Sequence, residues 1–299
     1  MTEVLDPTFR TERRAVDLAL TAFCDRYLGG LPTIAADAIR YSLMGEGKRL
    51  RAILLLAAYR AAGGTGDATE LAAAVEVVHA YSLVHDDLPC MDDDDVRRGR
   101  PTVHRVYGVP AATAAGLAMV PLAVRCASHA AADVLGLDAA VVGEIVAELM
   151  QASGGGGMIG GQLLDLEGES TSLTLAQLER IHRAKTGALI TAAVRLGGRA
   201  AGADTDAMAA FAQYGACIGL AFQIADDVLD VTATTDQLGK TAGRDLALQK
   251  STYPALLGVD GAVSRASGLV DDACVALSDA DLLTPTLEHL ARLVVTRRS

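Results

Sequence analysis

Tryptophan is absent from this chain of 299 residues, and aromatic residues together make up only 4% of it. Without them the core must be built from Ala, Leu, Val and Ile. Tyr/Trp-rich sandwiches and nucleic-acid platforms that stack bases on rings are disfavoured. Positive charge is also in short supply. The 26 Lys and Arg face 37 Asp and Glu, a formal net charge of −11. That argues against general binding to phosphate backbones, and so against a nucleic-acid partner. It leaves room for a local basic site that holds a small phosphorylated molecule. The cysteines, Cys24, Cys90, Cys126, Cys217 and Cys274, are odd in number and scattered, with no CxxC. A disulfide framework or a Cys-rich zinc site is excluded on that pattern, and a reducing cytoplasm is the expected location. The chain opens without a basic region followed by an apolar stretch, so no secretory signal is read there. No period-2 alternation runs long enough to build a sheet.

What the chain does have is apolar residues, 51% of the total, enough for a sizeable core. One uncharged run, Val106 to Val124, has the length of a membrane span. It is rich in Ala and interrupted by Gly108, Pro110, Gly116 and Pro121, so no span is expected. Between Pro121 and Pro254 there is no proline, and Ala, Leu, Glu, Gln and Arg dominate. That stretch reads as successive helices. The glycine run Gly154 to Gly157 predicts a break or bend, and Thr232 to Thr235 a turn or helix end. No repeat and no low-complexity linker is evident. The expectation is one all-α domain over residues 1–299.

Two aspartate clusters stand out. The first, His85-Asp86-Asp87-Leu88-Pro89-Cys90-Met91-Asp92, follows an apolar helical run from Leu71 to Val84. Asp86 and Asp92 are six residues apart, which an ideal helix would place on different faces. Pro89 disrupts the regular hydrogen bonding, so a bulged helix end could bring Asp86, Asp87 and Asp92 to one side. The bland alternative is an acidic loop. The second cluster, Gln223-Ile224-Ala225-Asp226-Asp227-Val228-Leu229-Asp230, lies inside an apolar run. Asp226 and Asp230 share a helix face, with Gln223 and Asp227 close to the same stripe. Three carboxylates within five residues repel one another, and bound cations would relieve that. Oxygen ligands without neighbouring Cys or His suit Mg²⁺ and leave positions for water and phosphate. A solvated acidic face is the alternative, set against the flanking Phe222, Ile224, Val228 and Leu229. Two such sites on one chain suggest a substrate phosphate held between metal ions.

Basic residues accompany the clusters. Gly45-Glu46-Gly47-Lys48-Arg49-Leu50-Arg51 follows an expected helix end, and Lys48 and Arg51, i and i+3, could hold one polyanion. Arg97 and Arg98 come directly after the first acidic cluster. His79 lies seven residues before Asp86, on nearly the same helix face; a lone His of this kind is otherwise a core residue. Lys185-Thr186, Lys240 and Lys250 are unremarkable singly.

Taken in order, these segments resemble the trans-isoprenyl diphosphate synthases, or polyprenyl synthetases, with the bacterial farnesyl diphosphate synthases the nearest group. The resemblance runs from about Leu31 to the C-terminus. DDxxxxD is found at Asp86, Asp87 and Asp92, and DDxxD at Asp226, Asp227 and Asp230. Also similar are Gly47-Lys48-Arg49-Leu50-Arg51, Gly160-Gly161-Gln162 with Asp165, Lys185-Thr186-Gly187, Leu238-Gly239-Lys240 and Lys250-Ser251-Thr252-Tyr253-Pro254. The resemblance implies a helical isoprenoid-synthase bundle around a central cavity, a homodimer, and condensation of isopentenyl diphosphate with an allylic diphosphate. It implies Mg²⁺, three ions per active site, with Asp86, Asp92 and Asp226 as ligands and Asp87 and Asp230 in support. Lys48, Arg51, His79 and Arg98 would hold isopentenyl diphosphate. Arg97, Lys185, Lys240 and Lys250 would hold the allylic diphosphate. Thr186 and Gln223 would face the developing carbocation. Tyr81 and Ser82, one helical turn below Asp86, would set chain length, with an aromatic at 81 stopping growth at farnesyl diphosphate.

Three positions depart from that pattern. Gly116-Leu117-Ala118-Met119 stands where Gly-Asp-x-Leu is usual, so a carboxylate is missing, and Pro121 close behind predicts a kink. Glu46 replaces a usual Gly, and Ala52 stands where Pro often follows. The alternatives are a geranylgeranyl diphosphate synthase, a class I terpene cyclase or lyase, a metal-dependent phosphohydrolase using His85-Asp86, and a non-catalytic helical subunit.

Overall fold

The computed structural model describes residues 7–169, 171–232 and 250–296. Helices make up nearly all of it; among the described residues one sheet occurs, a two-stranded ribbon of β1 (Val96–Arg97) and β2 (Arg100–Pro101). The all-α expectation holds. The chain gathers into two compact units, one from Thr2–Leu56 with Gly66–Ala147, the other from Ala57–Thr65 with Glu148–Ser299.

The first unit contains α1 (Arg10–Tyr27), α2 (Thr33–Leu43), the start of α3 (Leu50–Ala61), α4 (Thr69–Asp86), α5 (Val103–Tyr107) and α6 (Val109–His129). On α4 every residue from Leu71 to Val78 is buried. A helix apolar on all sides belongs at the centre, and α1 and α6 pack against it. The contact with α6 is close because residue 116 is glycine. A Cβ there would lie 2.1 Å from Nε2 of His85, which instead hydrogen-bonds the Thr113 carbonyl at 3.2 Å. Pro121 lies inside α6, yet the helix continues to His129, so the expected kink does not divide it. The prolyl nitrogen leaves the Leu117 carbonyl without its helical donor. Leu117 itself is 64% exposed, so this is a wet turn and tolerates the gap.

The second unit contains the end of α7 (Ala139–Ser153), then α8 (Met158–Glu167), α9 (Leu175–His182), α10 (Ala188–Ala200), α11 (Thr205–Thr232), α12 (Tyr253–Ser278) and α13 (Pro285–Thr296). The glycine run separates α7 from α8 as read; the turn expected over Thr232 to Thr235 lies, beyond Thr232, outside the described residues. At the start of α9, Thr174 and Gln177 form a capping box that satisfies two of the free helix-end donors. Here α11 is the central helix, with α10, α12 and α13 packed on it. Gly215 and Gly219, one turn apart on α11, let neighbouring backbone come very near. Added Cβ atoms would lie 2.7 Å from Cα of Thr191 and 2.8 Å from Cα of Gly187. Between α9 and α10, Arg183–Gly187 forms a π-turn, a wide turn that recurs at functional positions.

Two helical stretches, Val109–Val134 and Thr205–Thr232, are long and apolar enough to cross a membrane by length and composition. About half of each apolar window, 44% and 50%, is buried inside the protein. Each supplies core to its own unit.

Candidate functional site

In the first unit α4 ends at Asp86, and the chain turns back so that the Asp92 N–H donates to the Asp86 carbonyl at 2.8 Å. The bulged helix end expected from Pro89 is therefore present, and it brings the backbones of Asp86 and Asp92 together. Both side chains are half-buried. Asp87 is 3% exposed and accepts from Arg97 Nε at 2.5 Å. Burial raises its pKa to about 6, against the pull of Arg97. The β1–β2 hairpin turns through Arg98 (φ 52°) and Gly99 (φ 71°). Two positive φ values in succession match the twist of a tight hairpin, and the turn carries Arg97 and Arg98. Acidic groups at the carboxyl end of a helix oppose its dipole, so Asp86 stands where a cation is favoured.

The basic loop follows α2 as expected. Arg49 has a structural task that the motif alone does not reveal. It is 8% exposed, adopts φ 52°, and donates to Asp17 and to the carbonyls of Leu43 and Gly45, each at 2.9 Å. It pins the loop that carries Lys48 and Arg51. Arg98 donates to the carbonyl of Glu46 at 2.9 Å, and Gly47 leaves room, since a Cβ there would sit 2.8 Å from the guanidinium. The Glu46 side chain is exposed. Ala52, in place of proline, supplies an N–H to buried Glu76 at 3.2 Å. Half-buried His79 lies among Arg51, Arg98, Arg97 and Arg49. Burial and then those charges push its pKa well below the usual value. That favours the neutral imidazole, which offers one N–H rather than a charge. The structure thus gathers Arg51, His79, Arg97 and Arg98, with Lys48 on the pinned loop.

Tyr81 lies on α4, 6% exposed, with its ring edge-on to His85 at 5.2 Å. Burial, and then Asp86, raise its pKa to about 12. Its hydroxyl makes no hydrogen bond among the described residues. Ser82 turns back to the His79 carbonyl at 2.8 Å. His85 keeps its Nε2 on the Thr113 carbonyl, and among the described residues no further His joins it and Asp86, as a phosphohydrolase metal site would require.

In the second unit Asp226 is half-buried, while Asp227 and Asp230 are 3% and 6% exposed. Asp227 is held by protein donors: His182 Nε2 at 3.2 Å and the Tyr253 N–H at 3.0 Å on one oxygen, Gln223 Nε2 at 3.3 Å on the other. Thr186 donates to Gln223 Oε1 at 2.8 Å. Lys185 and Lys250 both reach the same oxygen of Asp165, at 2.7 and 2.9 Å, and Lys250 also pairs with Glu169 at 3.2 Å. Burial opposes ionisation of Asp165, yet the two ammonium groups lower its pKa to about 2. Gln162 is 8% exposed, and neither its amide oxygen nor its nitrogen has a partner among the described residues. Lys240 lies outside the described residues. His182 and Glu76 were not singled out by sequence, and Tyr253 only as a member of the Lys250-Ser251-Thr252-Tyr253-Pro254 motif. His182 carried a signal, three residues ahead of Lys185, but a lone buried His reads as core.

Among the described residues no three His, Cys, Asp or Glu groups enclose a metal site. Mg²⁺ does not require that. It keeps several waters and takes one or two carboxylates plus phosphate oxygens. The half-buried carboxylates of Asp86, Asp92 and Asp226 fit that donor set, and the unpartnered Gln162 amide marks a polar place that protein groups leave unfilled. A separate cavity of about 720 Å³ in the second unit, bordered by Gly155, Leu163, Arg180 and Arg183, is lined by none of the predicted substrate or metal residues.

The family model described as Polyprenyl synthetase matches residues 32–273. Over 280 residues the chain is 46% identical to the farnesyl diphosphate synthase of Escherichia coli (strain K12), covering 91% of this chain and 93% of that one. It is 42% identical over 272 residues to the geranylgeranyl diphosphate synthase of Cyanophora paradoxa, covering 90% of each. Among solved structures, the geranylgeranyl pyrophosphate synthetase from Pyrococcus horikoshii Ot3 matches with a TM-score of 0.83 at 28% identity, over 97% of each chain.

Proposed function

We propose that this chain, which belongs to the polyprenyl synthetase family, makes farnesyl diphosphate from isopentenyl diphosphate and dimethylallyl or geranyl diphosphate. Membership makes it a prenyltransferase that builds prenyl diphosphates; the C15 product is our reading. We read residues 1–299 as one synthase domain, since the family match takes in both compact units.

In this reading Lys48, Arg51, His79 and Arg98 hold isopentenyl diphosphate. The gathering of arginines around a neutral His79 supports a second diphosphate site, which a cyclase or lyase has no use for. Arg97, Lys185, Lys240 and Lys250 hold the allylic diphosphate; Lys185 and Lys250 are kept together by Asp165 until phosphate oxygens compete for them. Asp86, Asp92 and Asp226 hold Mg²⁺, three ions by resemblance, and bound Mg²⁺ supplies neutralisation of the charge on the departing diphosphate. Thr186 and Gln223 face the allylic carbon as positive charge develops there. The isopentenyl double bond attacks that carbon, and the proton it loses passes to the departing diphosphate. Apolar walls keep water away from the cation. Exposed apolar side chains such as Val106 on α5 and Val109 on α6 are compatible with the homodimer we expect, and five cysteines without disulfides with a cytoplasmic location.

The observation that carries the C15 reading is Tyr81: buried, on the same helix as Asp86 and five residues before it, with a hydroxyl that no group among the described residues holds in place. Such a ring can act as the floor under a growing prenyl chain, about one helical turn, ~5.4 Å, below the metal ligands. The test is chromatography of dephosphorylated products from wild type and Tyr81→Ala. Wild type should give C15 and the variant C20. A C20 product from wild type would favour geranylgeranyl diphosphate, and an unchanged C15 product from the variant would place the floor elsewhere. Activity that persists in EDTA would overturn the Mg²⁺ requirement.

A further inference from the structure

Four side chains of the second unit form one directed hydrogen-bonded chain, and its far end is a histidine that no substrate role claims. His182 and Thr186 are i and i+4 across the π-turn; Gln223 and Asp227 are i and i+4 on α11. The pairs meet crosswise, His182 on Asp227 at 3.2 Å and Thr186 on Gln223 at 2.8 Å, and Gln223 closes onto Asp227 at 3.3 Å. The close backbone approach at Gly187 and Gly219 makes that reach possible. His182 is 7% exposed and stacks on fully buried Tyr253 at 5.8 Å, with the rings 21° apart. The Tyr253 hydroxyl is tied to Glu179 at 2.8 Å.

The direction of this chain follows from what each group can do. A carboxylate only accepts. His182 must therefore carry its proton on Nε2, and Gln223 must turn its NH₂ to Asp227. The amide oxygen of Gln223 then faces Thr186, whose only O–H proton points at it. The Thr186 oxygen is left with lone pairs, and no proton, for whatever lies beyond. If the amide turned over, the Thr186 proton would be free to point outward, toward any positive charge.

We propose that His182 is a positioning residue for ionisation of the allylic substrate: through Asp227 and Gln223 it fixes the Thr186 hydroxyl with its lone pairs outward. This rests on the reading that Thr186 and Gln223 face the developing carbocation. Without the imidazole donor, one Asp227 oxygen keeps only the Tyr253 N–H, the carboxylate rotates more freely, and the orientation of Gln223 is no longer set. Because the device acts as charge develops, it changes the turnover step and not ground-state diphosphate binding.

The test compares His182→Leu, which removes the donor, with His182→Gln, whose amide nitrogen reaches as far as Nε2. For the leucine variant kcat should fall at least tenfold, with KM for each diphosphate within about twofold; the glutamine variant should recover to within about threefold of wild type. An unchanged kcat in the leucine variant, a parallel rise in KM, or a folded glutamine variant as slow as the leucine one would overturn the proposal. Nitrogen-15 NMR of selectively labelled wild type reads the tautomer directly and does not depend on any variant folding. Protonation at Nε2 is expected, and an Nδ1–H tautomer would overturn it as well. A wild type that shows the Nε2–H signal but condenses no diphosphates would instead sink the functional reading and leave the hydrogen-bonded chain standing.

Discussion

The two aspartate motifs spell the same first letters and divide them in the same way, though one closes a helix and the other lies within one. In Asp86-Asp87 and in Asp226-Asp227 the first carboxylate is half-buried and the second is 3% exposed. Adjacent helical residues point about 100° apart, so a helix packed on one side turns the first outward when it turns the second in. The inward partners differ. Asp87 meets one full charge, Arg97; Asp227 meets three donors from three segments, none a permanent charge. The first motif therefore depends on a hairpin arginine, the second on the packing of α11 against α9 and the start of α12. The shared lesson is that each DD pair turns one carboxylate outward, the proposed ligand, and one inward as an anchor.

Splitting each pair by mutation is the strongest way to break this comparison. Asp226→Ala should lower turnover by 100-fold or more, about 3 kcal/mol of transition-state stabilisation, with unfolding free energy within about 1 kcal/mol of wild type. Asp227→Ala should lose turnover and also about 3 kcal/mol of stability, since it strands two buried donors and the half-buried amide of Gln223. Asp86→Ala and Asp87→Ala should divide in the same sense. Steady-state condensation assays beside urea unfolding read both quantities. Equal stability losses within each pair would end the distinction between ligand and anchor.

A second prediction sharpens the comparison by asking what anchors a lysine pair in the second unit. The Asp165 pKa of about 2 lies below the ordinary carboxylate value of 3.8. A depressed carboxylate pKa adds stability that is fully present above the unfolded value and is lost as pH falls through the folded one. Asp165→Asn should therefore cost about 2 kcal/mol at pH 7. The gap from wild type should narrow as the pH is taken from about 4 toward 2. Unfolding curves at pH 7, 4 and 3 check it; a gap that is constant with pH would mean that Asp165 stabilises by packing, not by charge.

Much of this was legible in the chain itself. The helical class, the break at Gly154 to Gly157 and the folded-back loop at Pro89 all follow from residues acting locally, glycine and proline above all. Which residues carry phosphate chemistry was legible as an ordered set of motifs. The anchors were not. Arg49 reads as one more cation in a basic loop, yet its guanidinium closes on two carbonyls and Asp17. Lys185 and Lys250 are 65 positions apart in sequence, and only the fold places both on Asp165. Glu46 and Ala52 looked like defects in the pattern. The structure uses the carbonyl of the first and the N–H of the second, backbone groups that a motif comparison does not weigh.

Leu117 gives the smallest expected effect, and it tests the comparison from outside both motifs. The family pattern implies an aspartate there, so Leu117 marks either a lost catalytic carboxylate or a plain core position. Core is excluded by its 64% exposure. An outward side chain on α6 gains nothing from burial, so Leu117→Asp places a charge in water and should shift stability by no more than about 0.5 kcal/mol. The neighbour that matters is Gly116, which must lack a Cβ for His85 to sit beside the end of α4. On this argument residue 116 of the pair shapes the end of α4 at Asp86, and residue 117 does not. Turnover of Leu117→Asp should stay within about twofold of wild type. Gly116→Ala should fall well below it, because the methyl group would displace the imidazole and with it the helix end at Asp86. Melting curves and steady-state assays of the two variants settle the order. A tenfold gain for Leu117→Asp would mean that an outward carboxylate on α6 does take part in handling the diphosphate, and the ligand-and-anchor rule would then need a third acidic position.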